Sequence, residues 1–222
     1  HDLGDGSSSG LSNLAAVGAN LKVSDNDLLE HIDGLYALNE LSGDLIIRGN
    51  PALMDIDGLY GHDVVHGDLI IDDNDDLDDL DSLQSIQTVH GSLEIIGNDN
   101  LRYLSELDGI TTIGGSLRIE ENADLSSLIN VNSLTPLALT HVPGDVIIHN
   151  NNNLSDLTGL SSIQTIYGEL LISGNYELDS LEGIDSLDYV GAMTISDNAT
   201  LTTLEGISPG ASTTNTTPQD LV

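Results

Sequence analysis

From about residue 18 to residue 207 the chain repeats a single pattern of apolar and polar positions. Each unit opens on a glycine followed by two apolar residues two apart, as in Leu69 and Ile71 after Gly67, or Leu170 and Ile172 after Gly168. A period of two over so short a run predicts a strand with one inward face. An asparagine follows, and behind it the apolar spacing becomes three, as in Leu77, Leu80, Leu83, Ile86 and Val89. A helix of 3.6 residues per turn drifts off that spacing within two turns, so these stretches are predicted to be short extended or 3₁₀ pieces separated by corners.

The unit recurs at a nearly fixed step. Asn26, Asn50, Asn74, Asn98, Asn122, Asn151, Asn175 and Asn198 follow one another at intervals of 24, 24, 24, 24, 29, 24 and 23 residues, and Gly43, Gly67, Gly91, Gly115, Gly144 and Gly168 keep the same step. The interval of 29 places five extra residues within 135–143, "TPLALTHVP". A fixed period of this length is the signature of a solenoid, in which each unit is one coil and stacked coils put identical columns about 4.8 Å apart. One such column runs through Leu45, Leu69, Leu93, Leu117, Val146, Leu170 and Met193, and another through Ile32, Ile56, Leu80, Leu104, Leu128, Leu157, Leu181 and Leu204. The eight asparagines form a third, expected to be a buried ladder whose amides satisfy corner backbone groups. The fold class predicted is all-β: a right-handed parallel β-helix or solenoid of about eight coils with a 24-residue repeat.

Aligned on the asparagine, the units read GxLxIxxNxxLxxLxGLxxIxxI, as in "GDLIIRGNPALMDIDGL" and "GELLISGNYELDSLEGI". This motif resembles the receptor L domain family, the leucine-rich-repeat-like β-helix of insulin- and EGF-type receptor ectodomains, and above all its microbial cell-surface relatives. The resemblance spans about residues 18–207 and implies the same solenoid. Unlike the animal receptors, the chain has no cysteine. Three segments follow: an N-terminal cap or extension over 1–17, where Leu11, Leu14 and Val17 cover the first coil; the repeat domain over 18–207; and a Thr/Pro-containing tail over 208–222. The chain opens at His1 rather than Met, as would a processed, secreted protein of the extracellular space or cell surface, or equally an excised fragment.

Charge changes the picture most. Of 222 residues 37 are acidic, against Lys22, Arg48, Arg102 and Arg118, for a formal net charge of −33. Such a surface repels phosphate backbones and anionic membranes, so no nucleic-acid partner is expected. No apolar run approaches the roughly 18 residues of a membrane span, and without cysteine neither disulfides nor thiolate metal sites can form.

Candidate chemistry is sparse. Asp72, Asp73, Asp75, Asp76, Asp78 and Asp79 make a candidate for weak calcium binding. An EF-hand loop starting at Asp72 would need Gly and Glu where Leu77 and Leu83 stand, so the alternative is an outward, solvated acidic face. His66 and His90 share a column that continues as Ser42, Gly114, Pro143 and Tyr167, too mixed for four converging ligands. His62 occupies the inward column of Leu38, Ile86, Ile110, Ile163 and Leu187 and is expected to be a partly buried histidine at an irregularity. His1, as a free N-terminus, could chelate copper. Tyr36 and Tyr60 share a column and are candidates for a small exposed stack. Of the sequons at Asn153, Asn198 and Asn215, the first and last are the expected glycosylation acceptors, Asn198 belonging to the ladder. No nucleophile elbow, P-loop or dinucleotide fingerprint occurs, and the four basic residues scatter over four coils, so no enzyme is expected.

The function expected is that of a non-catalytic extracellular surface or matrix protein, a structural and interaction module that self-assembles into fibres or filaments through the solenoid ends or the tail. The alternative is a ligand-binding adhesin or receptor ectodomain for a protein or glycan.

Overall fold

The computed structural model describes residues 11–129 and 137–206. Its spine is a ladder of four-residue parallel rungs: Leu21–Ser24, Leu45–Arg48, Leu69–Asp72, Leu93–Ile96, Leu117–Glu120 and Val146–His149, continued by the last four residues of Thr165–Ser173 and of Tyr189–Ser196. Each rung pairs residue for residue with the next, Leu21 on Leu45, Leu69 on Leu93, Leu117 on Val146, and so on to Leu170 on Met193. Eight rungs and seven successive pairings make a parallel β-solenoid of about seven turns. The first and third residues of a rung point inward, as Leu45 and Ile47 do with no exposed surface, while the second and fourth face out.

Every rung stops at the same device. The residue after it has left-handed backbone, in the order Asp25, Gly49, Asp73, Gly97, Glu121, Asn150, Gly174 and Asp197, with φ between 54° and 69°. That conformation turns the chain so that the following asparagine points inward. Glycine adopts it without strain, whereas Asp and Asn tolerate it. Glycine also makes room, since a Cβ at Gly97 would lie 2.6 Å from Asp73 Oδ1 of the preceding coil.

Asn50, Asn74, Asn98, Asn122, Asn151 and Asn175 are fully buried. Asn98 shows the bonding: its Nδ2 donates to the Ile71 and Ile96 carbonyls, both at 2.9 Å, and its Oδ1 accepts from the backbone N–H and side-chain amide of Asn74 at 3.2 and 3.1 Å. Each amide thereby ties the corner of its own coil to both neighbouring coils. Asn26 and Asn198 close the column at its part-buried ends.

Beyond the corner, single 3₁₀ turns appear at Asp33–Leu35, Asp57–Leu59, Asp81–Leu83, Ser105–Leu107 and Thr158–Leu160, which accounts for the three-residue apolar spacing. Two-residue strands then close each coil; Val64–Val65, Thr88–Val89 and Thr112–Ile113 form a small second parallel sheet. The five extra residues lie earlier than the sequence suggests. Leu128 still holds the column of Leu104 and Leu157, and the Gln164 N–H bonds the Thr140 carbonyl just as the Thr111 N–H bonds that of Gln87. The offset therefore changes between Leu128 and Leu139, a stretch that includes 130–136, outside the described residues.

Leu14 and Val17 pack against the core and Ala16–Val17 pairs with Glu40–Leu41, while Leu11 is exposed. His1, Asn215 and the tail over 208–222 lie outside the described residues.

Asn98→Ala leaves the Ile71 and Ile96 carbonyls and the Asn74 N–H without this partner, so it should destabilise the protein by about 1–3 kcal/mol. Asn98→Asp should cost at least as much, because a carboxylate cannot donate to either carbonyl. Asn100→Ala, at an exposed side chain, should be nearly neutral. Urea melts of the three variants check this ranking, and equal shifts for positions 98 and 100 would refute the ladder as the fold's fastening.

Candidate interaction face and polar columns

A second polar column runs one position before the rungs. Oδ1 of Asn20 accepts the Asp44 N–H, Asp44 Oδ1 the Asp68 N–H at 2.9 Å, and Asp68 Oδ1 the Ser92 N–H at 2.8 Å. The chain continues through Ser92, Ser116 and Asp145 to the N–H of Glu169. These oxygens sit where a side chain from the neighbouring coil would otherwise go: a Cβ at Gly67 would lie 2.0 Å from Asp44 Oδ1, and one at Gly91 2.1 Å from Asp68 Oδ1. The glycine step thus exists to admit this column. Sequence reasoning missed it, because Asn, Asp and Ser share an acceptor oxygen but not a letter.

The six candidate calcium aspartates have separate duties. Asp72 is the last residue of a rung and pairs with Arg48 at 2.9 Å; Asp73 is the left-handed corner; Asp79 Oδ1 accepts the Asp81 N–H at 3.0 Å ahead of the 3₁₀ turn. Asp75, Asp76 and Asp78 are exposed. Partial burial and the nearby Asp99, Asp73 and Asp76 push the Asp75 carboxyl above its ordinary value. Among the described residues no group of three or more His, Asp or Glu side chains is placed to hold a metal ion.

Histidines and tyrosines divide the same way. His66 and His90 lie one coil apart with ring centroids 5.3 Å apart and planes tilted by 57°. His62 is 6% exposed, and its Nε2 has no hydrogen-bond partner. Gly61 before it has φ of 94°, and Tyr60 turns to ψ of 143° where Tyr36 and Gln84 hold −20° and −19°. Tyr60 and Tyr36 make no ring contact; the tyrosine rings that do meet are Tyr167 and Tyr189, centroids 6.2 Å apart and planes tilted by 49°. The irregular coil opens a pocket of about 320 Å³ bordered by Glu40, Ser42, His62, Asp63 and His66. Asn153 is exposed, its amide 3.3 Å from Asp124.

The outward face of the rungs differs from the rest of the surface. Its second positions run Lys22, Ile46, Ile70, Glu94, Arg118, Ile147, Leu171 and Thr194; its fourth positions run Ser24, Arg48, Asp72, Ile96, Glu120, His149, Ser173 and Ser196. Lys22, Arg48 and Arg118 balance Asp72, Glu94 and Glu120, so the face has a formal charge of zero. The remaining 34 acidic residues (37 − 3) and Arg102 (4 − 3 = 1) carry the whole −33. Basic residues scattered over coils in the sequence are therefore gathered on one face. Arg118 Nε reaches Glu120 at 2.6 Å and its Nη1 lies 3.7 Å from Glu94. Burial still pushes the Glu94 and Asp72 carboxyls up, with Arg118 and Arg48 working against it.

Comparison with known proteins agrees with this architecture. Residues 63–157 match the receptor L domain family. The rungs continue in register on both sides of the match, from Leu21 to Ser196, so the receptor-L-like repeat reaches well beyond it. Neither a curated protein nor a solved structure matches the chain. No helix among the described residues is long and apolar enough to cross a membrane.

Burial lowers the His62 pKa, with Asp63 acting weakly in the other direction. The unfolded chain then takes up the proton first, so stability is full above the ordinary value near 6.5 and falls as pH drops through it toward the lower folded value. His62→Leu, matching Leu38 and Leu187 in the same column, should raise the melting temperature, and its advantage over wild type should grow from pH 7 to pH 5. A constant advantage would mean the ring is not buried neutral. Salt should also stabilise the protein by screening its own charge. If calcium raises the melting temperature no more than sodium chloride of equal ionic strength, the aspartates act only as a solvated surface.

Proposed function

We propose that the protein is a non-catalytic binding module of the extracellular space, engaging a macromolecular partner through the outward face of its rungs. The observation that carries this reading is the charge-balanced, partly apolar face on a chain of −33. Ile46, Ile70, Ile96, Ile147 and Leu171 supply half-buried apolar surface, flanked by ion pairs that need no solvent to remain neutral. A rigid sheet presents these groups without an ordering cost on binding. The receptor L domain match supports a ligand-binding extracellular role rather than a catalytic one. Assembly into filaments through the solenoid ends or the tail is a separate proposal, of which the tail over 208–222 lies outside the described residues.

Retention on the native cell surface or matrix tests the reading. Wild type should be retained saturably, Ile70→Asp with Ile147→Asp should lose at least tenfold in apparent affinity, and Asp76→Asn with Asp78→Asn on the acidic side should retain it. Loss confined to the acidic-side variant would overturn the face as the binding surface.

A further inference from the structure

Resting on that reading, the geometry points to a second copy of this chain as an occupant of the face, related by a two-fold axis parallel to the strands and lying between the fourth and fifth rungs. Such an axis places rung one against rung eight, two against seven, three against six and four against five. The second positions then meet as Ile46 with Leu171, Ile70 with Ile147 and Glu94 with Arg118, each pair occurring twice in an isologous contact. Among the fourth positions Asp72 meets His149 and Ser24 meets Ser196. Lys22 meets Thr194 and Arg48 meets Ser173, cation against hydroxyl, and Ile96 against Glu120 is the one pairing of an aliphatic group with a charge. The columns therefore read as an approximate palindrome, apolar on apolar at four places and acid on base at the centre.

Charge selects the same arrangement. Approach through the other sides of both copies sets one acidic surface against another, whereas this face has a formal charge of zero. A two-fold axis along the solenoid instead would lay Ile46 on Arg48 and Ile70 on Asp72, leaving the charges against aliphatic groups. Eight rungs, spanning seven spacings of about 4.8 Å, and four residues of about 3.3 Å give an area of roughly 450 Å² per copy. The total of about 900 Å² falls just under the roughly 1,000 Å² of a stable interface, so the dimer is weak and concentration-dependent. Repulsion between the acidic remainders weakens it further in dilute buffer. At about 1 M salt, where the screening length falls to about 3 Å, that opposition is largely removed.

The absence of cysteine from the chain gives a direct test of register. Facing sheets sit about 10 Å apart, beyond a disulfide, so a short bis-maleimide is the linker. Ile70→Cys and Ile147→Cys are prepared separately, and folding is checked by circular dichroism. In 1 M sodium chloride a mixture of the two should cross-link as a heterodimer. Each alone should cross-link at least tenfold less, because its two thiols would be about 17 Å apart. Sedimentation equilibrium of wild type in the same salt should show the mass rising from 23.4 kDa toward twice that value with concentration, and Ile70→Asp should stay monomeric. A wild type that remains monomeric at high concentration overturns the self-pairing and leaves the binding-face reading to the retention assay. Cross-linking of either single variant with itself, or none in the mixture of a protein that does dimerise, overturns the palindromic register.

Discussion

The structure depends on satisfying the backbone where it leaves the sheet. A parallel rung of four residues must turn through a corner whose carbonyls point inward and find no strand to pair with, and leaving such groups unmet costs about 1–3 kcal/mol each. A buried asparagine meets the demand because it both donates and accepts, so it can bond the carbonyls of two coils while taking an N–H from its neighbour. No apolar residue and no carboxylate can do the same. Once that column is set, the coil length follows, and every other position must repeat at the same interval or be expelled from its place. The 29-residue interval keeps this rule, since Asn122 still bonds Asn151 across it.

Acid here has two origins. Part of it is structural: Asp44, Asp68 and Asp145 accept backbone N–H groups of the next coil, and Asp55, Asp79 and Asp156 accept the N–H two residues on before the 3₁₀ turn. Ser and Asn can fill the first role, as Asn20, Ser92 and Ser116 do, so the bonding requires an oxygen and not a charge. The rest, such as Asp75, Asp76 and Asp78, is solvated. A surface like this resists association everywhere at once, which gives unusual weight to the one face where charge cancels.

The fold was legible in the sequence because its period is carried by residue types that little else can replace: Asn at the corner, Gly at the turn, Leu or Ile inside. Strand positions, the coil length and the short 3₁₀ pieces all come from that period. Harder to read were features in which different residues share one duty. The acceptor column mixes Asn, Asp and Ser; the left-handed corner mixes Asp, Gly, Glu and Asn; neither appears as a repeated letter. The turn after Tyr60 depends on Gly61 taking a positive φ that its column does not share, so this irregularity could not be judged from spacing. The face was obscured for a different reason. Lys22, Arg48 and Arg118 lie on different coils, whereas chemistry on a solenoid is organised by column.

That distinction explains how so regular a scaffold can carry a specific surface. Inward columns are held to one size and polarity, because a coil's side chains touch those of the coils above and below at about 4.8 Å. Outward columns have no such demand, and each residue there may differ from its neighbours without disturbing the stack. On the acidic sides that freedom yields variation, as in the equivalents of Asp76: Leu28, Ala52, Asn100, Asp124, Asn153, Glu177 and Thr200. On the rung face it yields an ordered arrangement, with aliphatic residues at rungs two, three, six and seven and opposite charges at rungs four and five. Neither core packing nor the asparagine ladder asks for that order. On the proposed reading, a face whose charges cancel along its length, on a protein that otherwise repels its own kind, has its pattern set by what it meets.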